Sequence, residues 1–396
     1  MSPDRSRAVV AIGGFCAFLD LYTPQAVLPQ LADSMAITPA AAGSLVGATT
    51  LAVAGAAPFA GMLSDRFGRK ATIVTATVLL AVPSLLLCFA GSFHQILLLR
   101  FLQGLLIPAI FSPLVALVNE AWPHKAADIM GYYTAGSAVG GVTGRLVPAL
   151  LAGGIGWRAG FALLTVLSLL CAGLMSAWLP QDRGPAGGQG GRTPVAAVLE
   201  HLRNPALLAT FALGASVLMS MVAVFTYVNF HLARPPYSLG ASSLSLVFLV
   251  YLAGAALVPH AGGLIRRWGR RAIALTAIAI ACGGLLLTLH PALSVIIAGL
   301  TVFVVGIFTT QTVSMGFVGQ SAQSAKATAV GLYVCCYYAG GSAGSVLPGL
   351  LVWRTAGWPG CVALVAGLIA LSGVMAWFTW RDRASDLPLA GAEATV

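Results

Sequence analysis

The sequence predicts an all-α integral membrane protein: twelve transmembrane helices in two pseudo-symmetric six-helix bundles. Three observations lead there. Of the 396 residues, 58% are hydrophobic and only 8% are charged, whereas about a quarter of the residues in a soluble domain carry charge. The apolar residues fall into twelve runs, each near the length of about 20 residues that crosses a bilayer. The polar stretches between the runs carry motifs in the first half that return in the second.

The runs place spans near residues 8–30, 39–61, 71–91, 94–118, 127–152, 159–179, 205–230, 239–260, 272–290, 293–317, 327–352 and 359–380. The first follows a basic flank, MSPDRSR, as in a signal peptide. Its apolar run continues to Leu31 without a small-residue cleavage site, so it is expected to stay as the first helix. After the sixth span, PQDRGPAGGQGGRTP is polar and rich in Gly and Pro, as flexible linkers are. The expected domains are an N-terminal bundle over 1–179, a cytoplasmic linker over 180–204 and a C-terminal bundle over 205–396. Twelve crossings put both termini on one side. That side receives sixteen of the 21 Lys and Arg residues, the other only Arg158, Arg234 and Arg354, and Arg100 and Arg145 stay within spans. Cytoplasmic loops carry such an excess, so both termini are expected in the cytoplasm. The net charge of +10 then reflects topology, not a nucleic-acid surface. Seven cysteines, all in apolar runs without regular spacing, read as small packing residues and outline neither a disulfide framework nor a metal site.

GMLSDRFGRK starts at Gly61, between spans two and three, and GGLIRRWGRR starts at Gly262, between spans eight and nine. A longer match aligns GYYTAGSAVGGVTGRLVPALLAGGIGW from Gly131 with GLYVCCYYAGGSAGSVLPGLLVWRTAGW from Gly331. It pairs Gly140 with Gly340, Gly144 with Gly344 and Pro148 with Pro348. Small residues at this spacing let helices approach closely. Two parallel repeats joined by a loop are one way to build a transporter with its binding site between the halves.

Residues 61 to 70 match Gly-x-Leu-x-Asp-Arg-x-Gly-Arg-Lys at Gly61, Leu63, Asp65, Arg66, Gly68, Arg69 and Lys70. LLLRFLQG carries Arg100, Gln103 and Gly104, and LDLYTPQAVLP carries Leu19, Asp20 and Pro29. On these stretches the chain resembles the major facilitator superfamily over nearly its whole length, and within it the drug:proton antiporter group of twelve-helix multidrug exporters. The resemblance implies that the Gly61–Lys70 loop is a conformational switch, holding the outward-facing state by contact with the other half. Physically, the glycines allow a tight turn, and Asp65 can accept charge-assisted hydrogen bonds from Arg69 or a helix N-terminus. The other reading of the loop is a basic stretch that only sets topology. The second copy has Arg266 in place of the acid, which keeps the turn and the charge but not the ion pair.

Arg100 lies inside a span, where an unpaired cation costs a few kcal/mol, so it is expected to have a partner. Asp20 is the obvious one, the only acid placed well inside a span. Burial disfavours a charged carboxylate and a guanidinium favours it, so Asp20 can load and release a proton as access alternates, with Arg100 alongside. Three other roles for Asp20 stay open: a fixed pair with Arg100, a hydrogen bond to Tyr22 or a carbonyl, and counter-ion to a cationic substrate. The fifth span keeps the antiporter glycines at Gly131, Gly140 and Gly144, yet has Arg145 where that signature has proline. One Asp with two Arg in a cavity would favour an anionic or zwitterionic substrate; Arg145 can equally bond carbonyls or sit near the outer water. The candidate substrate cavity is Tyr22, Gln25, Gln103, Tyr133, Arg145, Tyr227 and Tyr337, its tyrosines able to stack on flat organic molecules. His231, His260 and His290 fall at span ends and read as interfacial polar residues.

These residues lead to a proton-coupled secondary transporter that exports small organic molecules or drugs by alternating access. Its partners are the small-molecule substrate, protons and the lipid bilayer, with no nucleic acid. It has no metal or other cofactor, the proton gradient supplies the energy, and the monomer is the functional unit. It is placed in the bacterial inner membrane. Proton-driven uptake of a small organic anion is the alternative, and a non-transporting sensor of the same fold is a third reading. An enzyme is not expected: the chain has no phosphate-binding Gly-x-x-x-x-Gly-Lys loop, no His-Glu-x-x-His and no Gly-x-Ser-x-Gly site.

Overall fold

The structure is a computed structural model that describes residues 3–181, 194–257, 261–322 and 325–380. Its first half contains α1 (Pro3–Leu19), a 3-10 turn (Thr23–Val27), α2 (Leu28–Met35), α3 (Pro39–Phe67), α4 (Arg69–Leu87), α5 (Phe93–Leu106), α6 (Pro108–Ala121), α7 (Ala126–Ala152) and α8 (Trp157–Trp178). There follow α9 (Pro194–Leu202), α10 (Pro205–Leu232), α11 (Ala241–Leu246), α12 (Val250–Leu257), α13 (Ala261–Trp268), α14 (Arg270–Leu287), α15 (Leu293–Ser321), α16 (Lys326–Leu351) and α17 (Trp353–Thr379). Among the described residues no strand occurs. Of the expected linker, residues 182–193 lie outside the described residues and 194–202 are helical. His260 also lies outside them.

Among the described residues, ten helices are long and apolar enough to cross a membrane, α5 and α6 counting together as Phe93–Ala121. The first expected span is a pair, Arg5–Leu19 and Thr23–Met35, bent by 46°. Pro24 explains the bend. It has no N–H to return to the carbonyl of Asp20 four residues earlier, and the Gln25 N–H instead closes a tighter turn on Tyr22 O at 3.0 Å. The eighth expected span is the shorter Ala241–Leu257, interrupted by a 3-10 turn at Val247–Leu249. With these two, the twelve apolar runs of the sequence are twelve helical segments.

By contact density the chain forms two compact units. One is Met1–Gly191 with Phe225–Leu249 and Ser345–Leu351, the other Arg192–Val224 with Val250–Gly344 and Val352–Val396. In the first unit α1 lies along α7, α3 along α5 and α4 along α8; in the second α14 packs on α15 and α17. The sequence repeat reappears as a packing repeat. A Cβ on Gly140 or Gly144 of α7 would stand 2.1 Å from Phe15 O or 1.8 Å from Leu19 O of α1. A Cβ on Gly340 or Gly344 of α16 would stand 2.0 Å from Ala215 O or 2.2 Å from Met219 O of α10. The same glycine pairs thus bring the same kind of helix pair into backbone contact in each unit. The loops repeat as well: Gly68 and Gly269 both adopt positive φ, 87° and 78°, where an L side chain is strained.

In the first of these loops Arg69 is the hub. It pairs with Asp65 at 3.1 Å, as expected, and doubly with Glu120 at the end of α6, at 2.6 and 2.8 Å. Lys70 donates to Leu179 O at 2.8 Å beyond α8. Arg66 stands over the Phe67 ring at 5.4 Å, and Gly61 has open space around it. In the second loop the arginines meet aromatic rings: Arg270 and Phe317 at 5.8 Å, Arg271 and Trp377 at 4.2 Å.

Candidate functional site

Where α1 breaks, the first unit buries a polar cluster among apolar residues. Asp20, Arg100 and Gln103 are all 0% exposed. The expected partnership of Asp20 and Arg100 exists, but it runs through the main chain. Arg100 donates from Nη1 to Asp20 O at 2.7 Å and from Nη2 to Leu21 O at 2.7 Å. Its Nε reaches Leu45 O at 3.3 Å. Proline at position 24 deprives the Asp20 carbonyl of its helical donor, and the tighter turn at Gln25 does the same to Leu21. A buried unpaired carbonyl costs about 1–3 kcal/mol, so the fork of Arg100 caps the broken helix.

The carboxylate of Asp20 is held by neutral donors. Ser84 Oγ of α4 lies 3.0 Å from Oδ1, Gln103 Nε2 lies 3.3 Å from the same oxygen, and Ser168 Oγ of α8 lies 3.2 Å from Oδ2. Arg100 orients the amide of Gln103, since its second Nη1 hydrogen goes to Gln103 Oε1 at 2.6 Å. That leaves Gln103 Nε2 facing Ser84 Oγ at 2.7 Å and Asp20. With four donor hydrogens engaged on carbonyl-type oxygens, the arginine makes no direct ion pair with the carboxyl group.

A second cluster of the same unit follows the turn. Arg145 of α7 lies between two rings, 4.6 Å from the Tyr22 centroid and 5.0 Å from that of Phe248. It donates to Gln25 Oε1 at 3.0 Å and Gly141 O at 2.6 Å. Gln25 in turn donates to Thr226 Oγ1 at 3.2 Å and accepts at its main-chain oxygen from Asn229 Nδ2 at 2.9 Å. Of the expected cavity residues, Tyr22, Gln25, Gln103 and Arg145 therefore fall in these two linked clusters. The others do not. Tyr133 packs beside Gly14 of α1, and Tyr227 spends its hydroxyl on Ser345 O at 2.9 Å. Tyr337 belongs to the second unit, stacked on Tyr333 at 6.1 Å. The first unit's groove of about 580 Å³ runs instead past Gly55, Phe59, Met62, Leu63 and Leu105.

Sequence reasoning missed Ser84, Ser168, Thr226, Asn229 and Phe248. Hydroxyl and amide side chains of this kind recur throughout apolar helices, where most of them bond the preceding turn, so no local pattern separates these from the rest.

The profile of the Major Facilitator Superfamily matches residues 10–345 and 237–395. The uncharacterized MFS-type transporter YybF of Bacillus subtilis (strain 168) is 32% identical over 370 residues, covering 92% of this chain and 91% of that protein. The inner membrane transport protein YnfM of Escherichia coli (strain K12) is 31% identical over 376 residues, covering 94% and 90%. Among solved structures, a bacterial homolog of the human lysosomal transporter Spinster, inward-facing and occupied, matches with a TM-score of 0.78. That match has 16% identity and covers 98% of this chain and 99% of that one, a likeness of fold.

Proposed function

Because the chain belongs to the Major Facilitator Superfamily and is a membrane transporter, not an enzyme, we propose that it couples transport of small organic molecules to protons through Asp20. The observation that carries this reading is a fully buried carboxyl whose oxygens accept from three neutral donors, with Arg100 close by but bonded to the main chain. Such a group can change its charge without breaking a direct ion pair, which a tight pair with Arg100 would oppose. Export is the direction favoured by the antiporter-like glycines Gly131, Gly140 and Gly144. The excess of basic residues on one side supports cytoplasmic termini in a bacterial inner membrane.

The test uses proteoliposomes with an imposed pH gradient, a fluorescent pH reporter, and cationic, neutral and anionic compounds. Asp20→Asn, which keeps the shape and, like the protonated acid, offers one acceptor oxygen and one donor group, is expected to abolish compound-driven proton movement while the protein still folds. Undiminished proton movement in that variant would end the proposal.

One observation favours a second reading, the uptake of an organic anion. Arg145 is a buried cation at 3% exposure, set between two rings and donating to the Gln25 amide and Gly141 O. A substrate carboxylate is a stronger acceptor than Gln25. Arg145→Leu is expected to move the charge preference of the same compound panel toward cations. An unchanged preference removes Arg145 from the substrate path.

A further inference from the structure

Two hydroxyls beside Asp20 have hydrogen-bond options that fit both protonation states of its carboxyl group. Ser84 Oγ lies 3.0 Å from Asp20 Oδ1 and 2.9 Å from Leu80 O, and it accepts from Gln103 Nε2 at 2.7 Å. It has one hydrogen and two acceptors for it. When Asp20 is charged, that hydrogen points to Oδ1. When a proton from water binds Oδ1, the new Asp20 O–H donates to Ser84 Oγ, and the serine turns its own hydrogen to Leu80 O. Oxygen and hydrogen bonds balance in both states, and nothing buried is orphaned. Ser168 Oγ lies 3.2 Å from Oδ2 and keeps donating to that oxygen throughout. The donation is strongest when the carboxyl is charged.

Resting on the proton-coupling reading above, we propose that Ser84 and Ser168 are positioning residues that set the pH at which Asp20 binds and releases its proton, Ser84 by reversing its hydrogen bond. Among the described charged and titratable groups around Asp20, none donates directly to its carboxyl oxygens, and the hydrogen bonds come from neutral donors. From α5, Arg100 engages the Asp20 main-chain oxygen, not its carboxyl oxygens. From α1 and α8, the thiols of Cys16 and Cys171 hydrogen-bond to each other beside Asp20. From α7, Arg145 is bound to Gln25 and Tyr133 packs at Gly14. The face of α4 toward Asp20 presents Ser84.

The experiment is an infrared titration of the Asp20 carboxyl stretch, identified as the band missing in Asp20→Asn, run beside the pH profile of compound-driven proton movement. A neutral donor contributes on the order of 1 kcal/mol to the charged form, equivalent to somewhat under one pH unit. Ser84→Ala and Ser168→Ala are each expected to move the band's midpoint about half a unit or more to higher pH. The transport profile should follow, and Ser84→Thr and Ser168→Thr should restore both. Ser84→Cys and Ser168→Cys, nearly isosteric but weaker donors, give the same sign if an alanine variant does not fold. A band midpoint that stays in place in both serine variants overturns the proposal, while the proton-coupling reading survives if Asp20→Asn still abolishes coupling. Coupling that persists in Asp20→Asn overturns both.

Discussion

Arg100→Ala is expected to remove a large part of the stability of the first unit, since each buried acceptor left without a donor costs about 1–3 kcal/mol and Arg100 serves four. The structure names the groups. Asp20 O and Leu21 O lose their donors at the Pro24 break, Leu45 O loses a second bond, and the Gln103 amide loses the contact that fixes its orientation. No water in the hydrocarbon region replaces them. Thermal unfolding of purified protein in detergent, followed by tryptophan fluorescence, measures the loss. Arg100→Lys should recover part of it, because one ammonium can serve two neighbouring carbonyls but cannot span the fork from α1 to Leu45 on α3. The decisive comparison is the double variant Arg100→Ala with Asp20→Asn. If the arginine served chiefly to neutralise the carboxylate, removing both charges would restore stability. The main-chain bonds predict no rescue, and a double variant as stable as wild type would refute the helix-cap role.

Much of this was legible in the sequence because membrane helices must satisfy their backbone internally and expose apolar side chains. Length and hydropathy alone therefore locate most spans. The duplicated glycines were legible for a similar reason: no other side chain allows the backbone contacts at Gly140, Gly144, Gly340 and Gly344. The Asp65–Arg69 pair also followed from its spacing. What stayed hidden were relations between segments far apart in the chain. Glu120 looks like an ordinary helix-end acid until α6 brings it to Arg69. Arg100 was matched to Asp20 by charge, whereas the missing N–H of Pro24 made the carbonyl the stronger demand. Ser84 and Ser168 lie far apart in sequence and come together around Asp20 because α4 lies along α8. The break at Val247–Leu249 falls in the apolar stretch LVFLVYLAGAAL, where no proline announces it.

Gly144→Ala is expected to have the second large effect, and it links packing to the proposed proton site. The added methyl would lie 1.8 Å from Leu19 O and 2.8 Å from Leu19 C. A backbone carbonyl cannot step aside as a flexible side chain can, so α1 and α7 must separate. Overpacking of this kind costs roughly 1–3 kcal/mol or more. Leu19 immediately precedes Asp20, so the displacement acts where the carboxyl meets Ser84, Gln103 and Ser168. The Asp20 band and its coupling should change together with stability. Gly344→Ala repeats the clash against Met219 O at 2.2 Å in the second unit, far in sequence from Asp20. It should lower the unfolding temperature while leaving the band's titration in place. Gly131→Ala, on the same helix as Gly144 but with nothing within 4 Å, should be neutral or slightly stabilising, since alanine favours helix. A Gly144→Ala protein with wild-type unfolding and wild-type titration would mean that the α1–α7 contact does not hold the Asp20 carboxyl in register.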